Sequence, residues 1–562
     1  MLEVANDEIQ TLPMDHHGLV AAVCKDLRIA DRIDACLEVH KERKVSPGKA
    51  VVALILNGLG FTNRRLYLTS QFFKSKPVER LLDAAIQAED LDDHTLGHAL
   101  DEIHDYGAST LFGTVAFGVA LENNLLGNLN HLDTTSISVT GEYANSRSSE
   151  EEAGVIHITH GHSKDRRPDL KQAVLSLVVN GPASLPIWME PLDGNSSDKK
   201  SFHETVKKVR AFQKQIDLDR NFKWVADSAL YSADKLLANN DYLWVTRVPE
   251  TVREARELVS KADGEISWQE GGNGYKHAAY VSYHGGIEQR WLLIYSEQAY
   301  TREKQTLEKN LEKMEEAVKK VIWHLGNEIF GCEKDAENEI EKLKAEYPLY
   351  HVSGEAIPIL KYAGRGKPSA GEIPVAKGYK VDLILERKEF AVDALLNRKG
   401  RFILATNDLD KSGYPDERML SEYKEQYKVE GGFRFLKDPW FMVDSVFLKL
   451  PSRIESLMMV MTLCLLVYNV AQYRLRLKLK VEKETLPNQL DKEVQNPTLR
   501  WIFQIMEGIG IVRFYEEGVC APTRELVTNL TNLRKKIIQL FGPTACEMYG
   551  LIPKSALGTP GM

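Results

Sequence analysis

The sequence predicts an α/β protein: a helical first segment, a core in which strands and helices alternate, and a mixed β and helical segment set into that core. Three observations predict it. Apolar runs over residues 1–127 have helical lengths and flanks. Residues 128–262 switch to short runs rich in Val, Ile and Thr, separated by stretches with helical spacing. Residues 263–400 change pattern again before strand and helix resume over 401–562. A chain of 562 residues is long enough for about three or four domains. Its hydrophobic and charged fractions, 43% and 27%, are those of an ordinary globular protein.

In the first segment, residues 19–23, 51–56 and 111–116 are expected to be buried helix segments. Ser46 and Pro47 mark a helix entry, with Ser46 as N-cap and Pro47 in the first turn. Arg64, Arg65, Lys74 and Lys76 place cations near the short helices that follow. Packing or dimerisation is the plain reading of this region. In the second segment, residues 131–139, 155–159 and 173–179 are expected strands, and 186–189 pair back after the turn at 180–182. Residues 201–215 have helical spacing. A short apolar run ends at Asp227, a capped helix start follows at Ser232, and 242–246 form another strand.

In the third segment, strand-like pieces at 277–281 and 290–294 precede a long charged helical stretch, 301–346, with Leu307, Leu311 and Met314 at helical spacing. A solvated helical arm is one reading of that stretch. Core packing is the plain reading of Trp268 and Trp291. In the fourth, a strand at 402–406 leads to a helix around Glu430. The apolar run 457–468 is shorter than the roughly 20 residues that cross a bilayer, so a buried helix is expected. Residues 496–503 and 526–540 form a helical tail.

Three acids stand out. Asp133 lies inside a predicted strand, where Asp is depleted, so an acid there asks for a reason. Asp227 ends a strand just before a helix, where α/β sheets place ligand-binding groups. Tyr423, Gln426, Glu430 and Lys437 are separated by three, four and seven residues, which keeps them on one side of a helix. A carboxylate beside an ammonium and an aromatic hydroxyl suits a site that binds a metal and holds a phosphate. Gly431 and Gly432 weaken that helix, each by about 1 kcal/mol relative to Ala. Singly, each aspartate has a plain alternative as a turn or cap residue, and Glu430 as part of a solvated amphipathic face. Together they form an ordered Asp, Asp, Glu set on strand, strand and helix.

These residues carry a resemblance. The chain resembles the DDE transposases of the bacterial insertion-sequence family 4 superfamily, and most nearly the subgroup called family 1634. That superfamily carries tyrosine, two residues, arginine, three residues, glutamate, six residues and lysine; Tyr423, Glu430 and Lys437 match, and Gln426 stands where arginine is usual. The blocks Asp133-Thr134-Thr135, Gly161 to Asp169, Pro191 to Asp198 and Ala226-Asp227-Ser228-Ala229 also fit, in order, over most of the chain.

The resemblance implies a ribonuclease H-like catalytic core (128–262 and 401–562), a helical N-terminal domain (1–127) that contacts transposon ends, and an insertion (263–400) before the catalytic glutamate. It implies that Asp133, Asp227 and Glu430 hold two Mg²⁺ (or Mn²⁺) ions about 4 Å apart, hard cations suited to oxygen ligands. Tyr423, Gln426, Lys437, Arg166, Arg167 and Arg434 would contact DNA. The activity implied is cleavage at transposon ends and strand transfer into target DNA, by a cut-and-paste route. The partners would be double-stranded terminal inverted repeats and target DNA, with a homodimer in the DNA complex. Two alternatives remain: an inactive end-binding protein, and a ribonuclease H-like nuclease without strand transfer.

The net charge of −8 counts against a nucleic-acid protein, but phosphate is met locally. His160, His162, Lys164, Arg166 and Arg167 cluster, as do Lys199, Lys200, Lys207, Lys208 and Arg210, and a third series follows Glu430 from Arg434 to Lys480. Each is either a solvated face or part of a basic groove. Six cysteines include no Cys-x-x-Cys pair, which supports neither a zinc ribbon nor a disulfide framework. The acidic start has no signal-peptide pattern, so a cytoplasmic, nucleoid-associated protein without a membrane partner is expected. No P-loop occurs.

Overall fold

The computed structural model describes residues 9–38, 43–61, 68–140, 143, 154–238, 240–362, 371, 373–438, 448, 450–516 and 522–551. It is a mixed α/β structure of two compact units, Met1–Val245 with Ser421–Met562, and Thr246–Leu420.

The first unit opens with strand β1 (Ile9–Pro13) and helices α1 (His17–Asp26), α2 (Ile29–Asp34), α3 (Pro47–Gly58), α4 (Thr69–Lys74), α5 (Val78–Leu81), α6 (Asp93–Tyr106) and α7 (Ala108–Glu122). The expected entry to α3 is present: Ser46 Oγ accepts from Lys49 N at 3.3 Å and donates to Asp34 Oδ2 at 2.6 Å. α3 is apolar on nearly every side and almost wholly buried, as such a helix must be.

Strands β2 (Leu129–Val139), β3 (Lys171–Asn180) and β4 (Leu185–Leu192), helix α8 (Asp198–Gln215), strand β5 (Lys223–Ala226), helix α9 (Ala233–Ala238) and strand β6 (Trp244–Val248) follow. β4, β3 and β2 are successive antiparallel neighbours, and β5 joins β2 in parallel. Gly181 turns β3 into β4 with φ +72°; a Cβ there would lie 1.9 Å from Leu125 O, so only glycine fits. The strand expected at 155–159 does not form. Its backbone is taken elsewhere: Ile156 N donates to Glu455, His157 N donates to Asp193, and only Thr159 bridges to Gln172.

The second unit contains α10 (Arg253–Val259), β7 (Gln269–Glu270), β8 (Tyr275–His284), β9 (Ile287–Ser296), α11 (Glu297–Asn327), α12 (Glu333–Glu346), β10 (Tyr350–Lys361), β11 (Val375–Arg387), α13 (Glu389–Leu396), β12 (Arg401–Thr406) and the start of α14 (Asp416–Lys424). β12, β9, β8 and β7 are antiparallel neighbours in that order, and β10 and β11 form a separate hairpin. The expected single helix over 301–346 is two helices. Phe330 exchanges two backbone hydrogen bonds with Tyr379 of the hairpin, both at 2.9 Å, and this pairing ends the helical run. Ala336 and Ile340 of α12 then pack with Phe330 and Val381. Trp291 is buried, with Nε1 donating to Gln289 at 3.1 Å. Trp268 donates to Asp263 at 3.2 Å, under the Arg401 guanidinium. Trp291 is therefore a packing residue, whereas Trp268 is only partly buried.

The first unit resumes with α15 (Tyr427–Leu436), α16 (Pro451–Glu482), β13 (Leu486–Pro487), β14 (Glu493–Val494), α17 (Leu499–Ile505), β15 (Gly510–Phe514), β16 (Arg524–Thr528), α18 (Asn532–Phe541) and α19 (Pro543–Met548). α16 is longer than its apolar run. By length and composition it could cross a membrane, with mean hydropathy 1.8 over its most apolar window, but 89% of that window is buried inside the protein. Two expectations need correction here. The first segment is not wholly helical, because β1 pairs antiparallel with β15, and the tail is not wholly helical, because Leu526 to Thr528 lie in β16, which extends the same sheet.

Candidate active site

β2 and β5 set the two aspartates. Their parallel register pairs Leu129 with Lys223, Asn130 with Trp224 and His131 with Val225. Continued two residues past its last pair, this register would bring Asp133 level with Asp227, since neighbouring strands run about 4.8 Å apart. Level residues of adjacent strands point to the same face. Asp133 is half-buried within β2, and Asp227 is exposed one residue past the end of β5.

Helix α15 covers that face, packing on β2 and β3. Its buried stripe is Val429, Gly432, Phe433 and Leu436. The residue opposite Asp133 on β3 is Leu177, and a Cβ added at Gly432 would lie 3.5 Å from Leu177 Cδ2. Gly432 thus lets the helix backbone come down beside Asp133. In the turn just before the same helix, Glu425 Oε2 lies 3.9 Å from His131 Nε2 and accepts from Lys428 at 2.7 Å. Burial, then the Lys428 ammonium, push the His131 imidazole down to about 4, with Glu425 opposing. His131 is therefore neutral at pH 7, and its contact with Glu425 is not an ion pair.

Glu430 is exposed on α15, and Lys437, seven residues on, lies on the same flank. Lys437 Nζ donates to Asp165 Oδ1 at 2.6 Å. The next residue back, Lys164, places Nζ 2.6 Å from Thr134 O, 3.1 Å from Thr134 Oγ1 and 3.7 Å from Asp133 Oδ1. One loop thus joins the Glu430 flank to Asp133. Glycines hold it down: a Cβ at Gly161 would meet Gly194 O at 2.0 Å, and one at Gly194 would meet Gln172 O at 2.0 Å. Gly194 N also donates to His157 O at 2.9 Å. The sequence blocks around Gly161 and Asp193 therefore act as a buttress for Lys164.

The expected single helix face from Tyr423 to Lys437 is broken. α14 ends at Lys424, and the turns through Gln426, Lys428 and Val429 close with hydrogen bonds to the third residue back, a tighter winding than the α-helix. Tyr423 therefore sits on a different helix from Glu430, and Gln426 is the N-cap of α15. Arg434 is exposed in the last turn of α15. Arg166 is exposed with φ +58°, and Arg167 forms a bidentate, exposed pair with Asp169.

The cations expected after Glu430 mostly face inward. Arg453 pairs with Asp101, Arg474 with Asn123 and Asp26, and Arg476 and Lys478 donate to Pro497 O and Gln539 O. On α8, Lys208 pairs with Glu190 and Arg210 with Asp241. Arg64, Arg65 and Lys449 lie outside the described residues. Lys164 is placed beside Asp133, and Lys437 is tied to the neighbouring Asp165, while Arg166, Arg167 and Arg434 are exposed.

Oxygen donors only, from three carboxylates, fit a hard divalent cation in chemistry. As they stand, no three His, Cys, Asp or Glu side chains among the described residues converge closely enough to hold an ion. Asp133 lies in β2, Asp227 just past the end of the neighbouring β5, and Glu430 on the helix packed against β2 and β3. Lys164, which the sequence showed only as one cation in a cluster, is the group that faces Asp133.

A family model described as a domain of unknown function, DUF4277, matches residues 9–117, which run from β1 into α7. No curated protein matches the chain. Among solved structures, the cryo-EM structure of a piggyBac transposase synaptic complex with hairpin DNA aligns over 89% of this chain and 82% of that one, at 9% identity. The TM-score is 0.34, at which the likeness assigns neither fold nor activity.

Proposed function

We propose that the chain is a DDE-type DNA transposase of the insertion-sequence family 4 kind, built on a ribonuclease H-like core, that cleaves double-stranded DNA at the terminal repeats of its element and transfers the freed strand into target DNA. What supports this reading is the parallel register of β2 on β5, which, continued two residues past its last pair, would bring Asp133 level with Asp227, with the helix bearing Glu430 packed on β2 and β3. Asp133, Asp227 and Glu430 would hold two Mg²⁺ or Mn²⁺ ions, which supply Lewis acidity at the scissile phosphate and lower the pKa of the attacking hydroxyl.

The chain's own residues do the rest. Lys437, now on Asp165, and Lys164, beside Asp133, would meet phosphate oxygens as point charges. Arg434, Arg166 and Arg167 would add exposed cations, and Arg167 would exchange Asp169 for phosphate, since a fully exposed pair is weak. Tyr423 and Gln426 hold the chain of the DNA strand by hydrogen bonds. Water attacks the phosphodiester at the element's end and releases a 3′-hydroxyl; that hydroxyl then attacks a target phosphodiester and displaces the target's 3′-oxygen. Two ends must be handled together, so a homodimer on DNA is part of the proposal, acting in the cytoplasm at the nucleoid.

The lack of convergence among the three carboxylates favours one second reading, an end-binding protein that does not cut. Incubation of the purified protein with DNA carrying the repeats that flank its gene, with and without Mg²⁺ and beside Glu430→Gln, separates the two. Metal-dependent cuts at the repeat ends, absent in the variant, support the transposase. Binding with no cut in either protein supports the second reading.

A further inference from the structure

We propose that His94 and His98, on α6, form a binding site for a divalent transition-metal ion, in a place that the three carboxylates do not reach. The two residues are four apart, so they stack on one side of the helix. The opposite side of α6 buries Leu96, Ala99, Leu100 and Ile103, which leaves both imidazoles exposed to the pocket beside it. Their Nε2 atoms are 3.1 Å apart, whereas the ring centroids are 4.3 Å apart. The rings therefore converge at their Nε2 ends. Two metal–nitrogen bonds of about 2.0–2.1 Å, at angles from square to tetrahedral, span roughly 2.9–3.4 Å between nitrogens. The observed separation falls inside that range. Without an ion, the same approach is one imidazole donating to the other.

The surroundings suit a cation. The pocket has a volume of about 540 Å³ and is lined by four carboxylates besides the histidines. Three of its acids are committed elsewhere in whole or part: Asp90 to Lys44 and Gln87 N, Asp92 to Thr95 N, and Glu102 Oε1 to Arg43. Glu102 Oε2, one turn beyond His98, is buried with no hydrogen-bond partner among the described residues. One helical turn from His98, it is a source of a third ligand, and its carboxyl must rotate to serve, because no trio among the described residues converges as it stands. Imidazole donors select zinc, nickel or copper rather than magnesium. This site would therefore be filled by a different class of ion from the hard cations proposed for the carboxylates.

The test is calorimetric titration of the full-length protein with ZnCl₂ and, separately, NiCl₂, in excess Mg²⁺, with thermal unfolding followed in parallel. Wild type, His94→Ala, His98→Ala and Asp133→Asn are compared, and far-UV circular dichroism checks that each is folded. The expected result is one saturable site and a metal-induced rise in unfolding temperature. Each histidine variant should weaken binding by at least about tenfold, the scale on which even outer-shell partners of ligating histidines matter. Asp133→Asn should leave it unchanged. Unaltered affinity in folded His94→Ala and His98→Ala, or loss of the site in Asp133→Asn alone, would overturn the proposal.

Discussion

Replacing Gly431 and Gly432, one at a time, tests how α15 is seated. The two glycines are adjacent but meet different surroundings. A Cβ at Gly431 finds no heavy atom within 4 Å, while one at Gly432 lies 3.1 Å from Leu465 Cδ2 and 3.5 Å from Leu177 Cδ2. Exchanging Gly for Ala in a helix interior gains about 1 kcal/mol. Gly431→Ala should therefore stabilise the protein by about 0.5–1 kcal/mol. Gly432→Val gains roughly 0.5 kcal/mol of propensity but drives two further methyl groups into Leu465 and Leu177, and overpacking of this kind costs about 1–3 kcal/mol. The net is a loss of about 0.5–2.5 kcal/mol. Leu177 pairs with Asp133 across the sheet, so the same strain lifts α15 and Glu430 away from the aspartates. Guanidinium denaturation read by circular dichroism, and end-cleavage assays, should separate the two variants. Gly431→Ala raises the midpoint and keeps cleavage; Gly432→Val lowers both. Shifts of the midpoint in the same direction would refute a seat made through Gly432.

Other outcomes follow from single contacts. His131 is held at about 4 in the folded protein against an unfolded value near 6.5, so the unfolded chain takes up the proton first as pH falls. Stability from this group is complete above about pH 6.5 and is lost towards pH 4, by up to about 3 kcal/mol. His16, pushed by burial to about 4, adds a slope of the same sign, and His131→Gln should flatten the curve of unfolding midpoint against pH; an unchanged curve would contradict the assignment. Glu455 accepts from Ile156 N at 2.6 Å and His104 Nδ1 at 2.9 Å. Glu455→Ala strands those donors at about 1–3 kcal/mol, and Glu455→Gln loses less, both read as denaturation midpoints. Ser46→Ala removes the α3 cap and should lower stability by about 1 kcal/mol in the same measurement.

What the sequence made legible was local. The cap at Ser46, the strand through Asp133, the strand end at Asp227 and the buried α16 each follow from residues within a turn or two of one another. The misses share a different origin. β1 finds its partner β15 some 500 residues away, and no local pattern carries that pairing. Residues 155–159 have strand propensity, but Glu455 and Asp193 take their backbone donors, so propensity yields to tertiary hydrogen bonds. The break between α14 and α15 falls in Glu425-Gln426, where nothing in residue type forbids a helix. The candidate site divides in the same way. Asp133 was readable because Asp is out of place in a strand, and Asp227 because it closes one before a helix, whereas the role of Lys164 depends on a loop that returns across β2 and is pinned by Gly161 on Gly194. Neither glycine announces that contact in the sequence.

The most direct test of the proposed site exchanges a hard ligand for a soft one. Asp133→Cys and Asp227→Cys, assayed for cleavage of repeat-end DNA, should be inactive in Mg²⁺ and regain activity in Mn²⁺, because a thiolate ligand tolerates the softer ion and not the harder one. Full activity of either variant in Mg²⁺ would contradict the claim that these two aspartates, level on neighbouring strands, hold the catalytic metal.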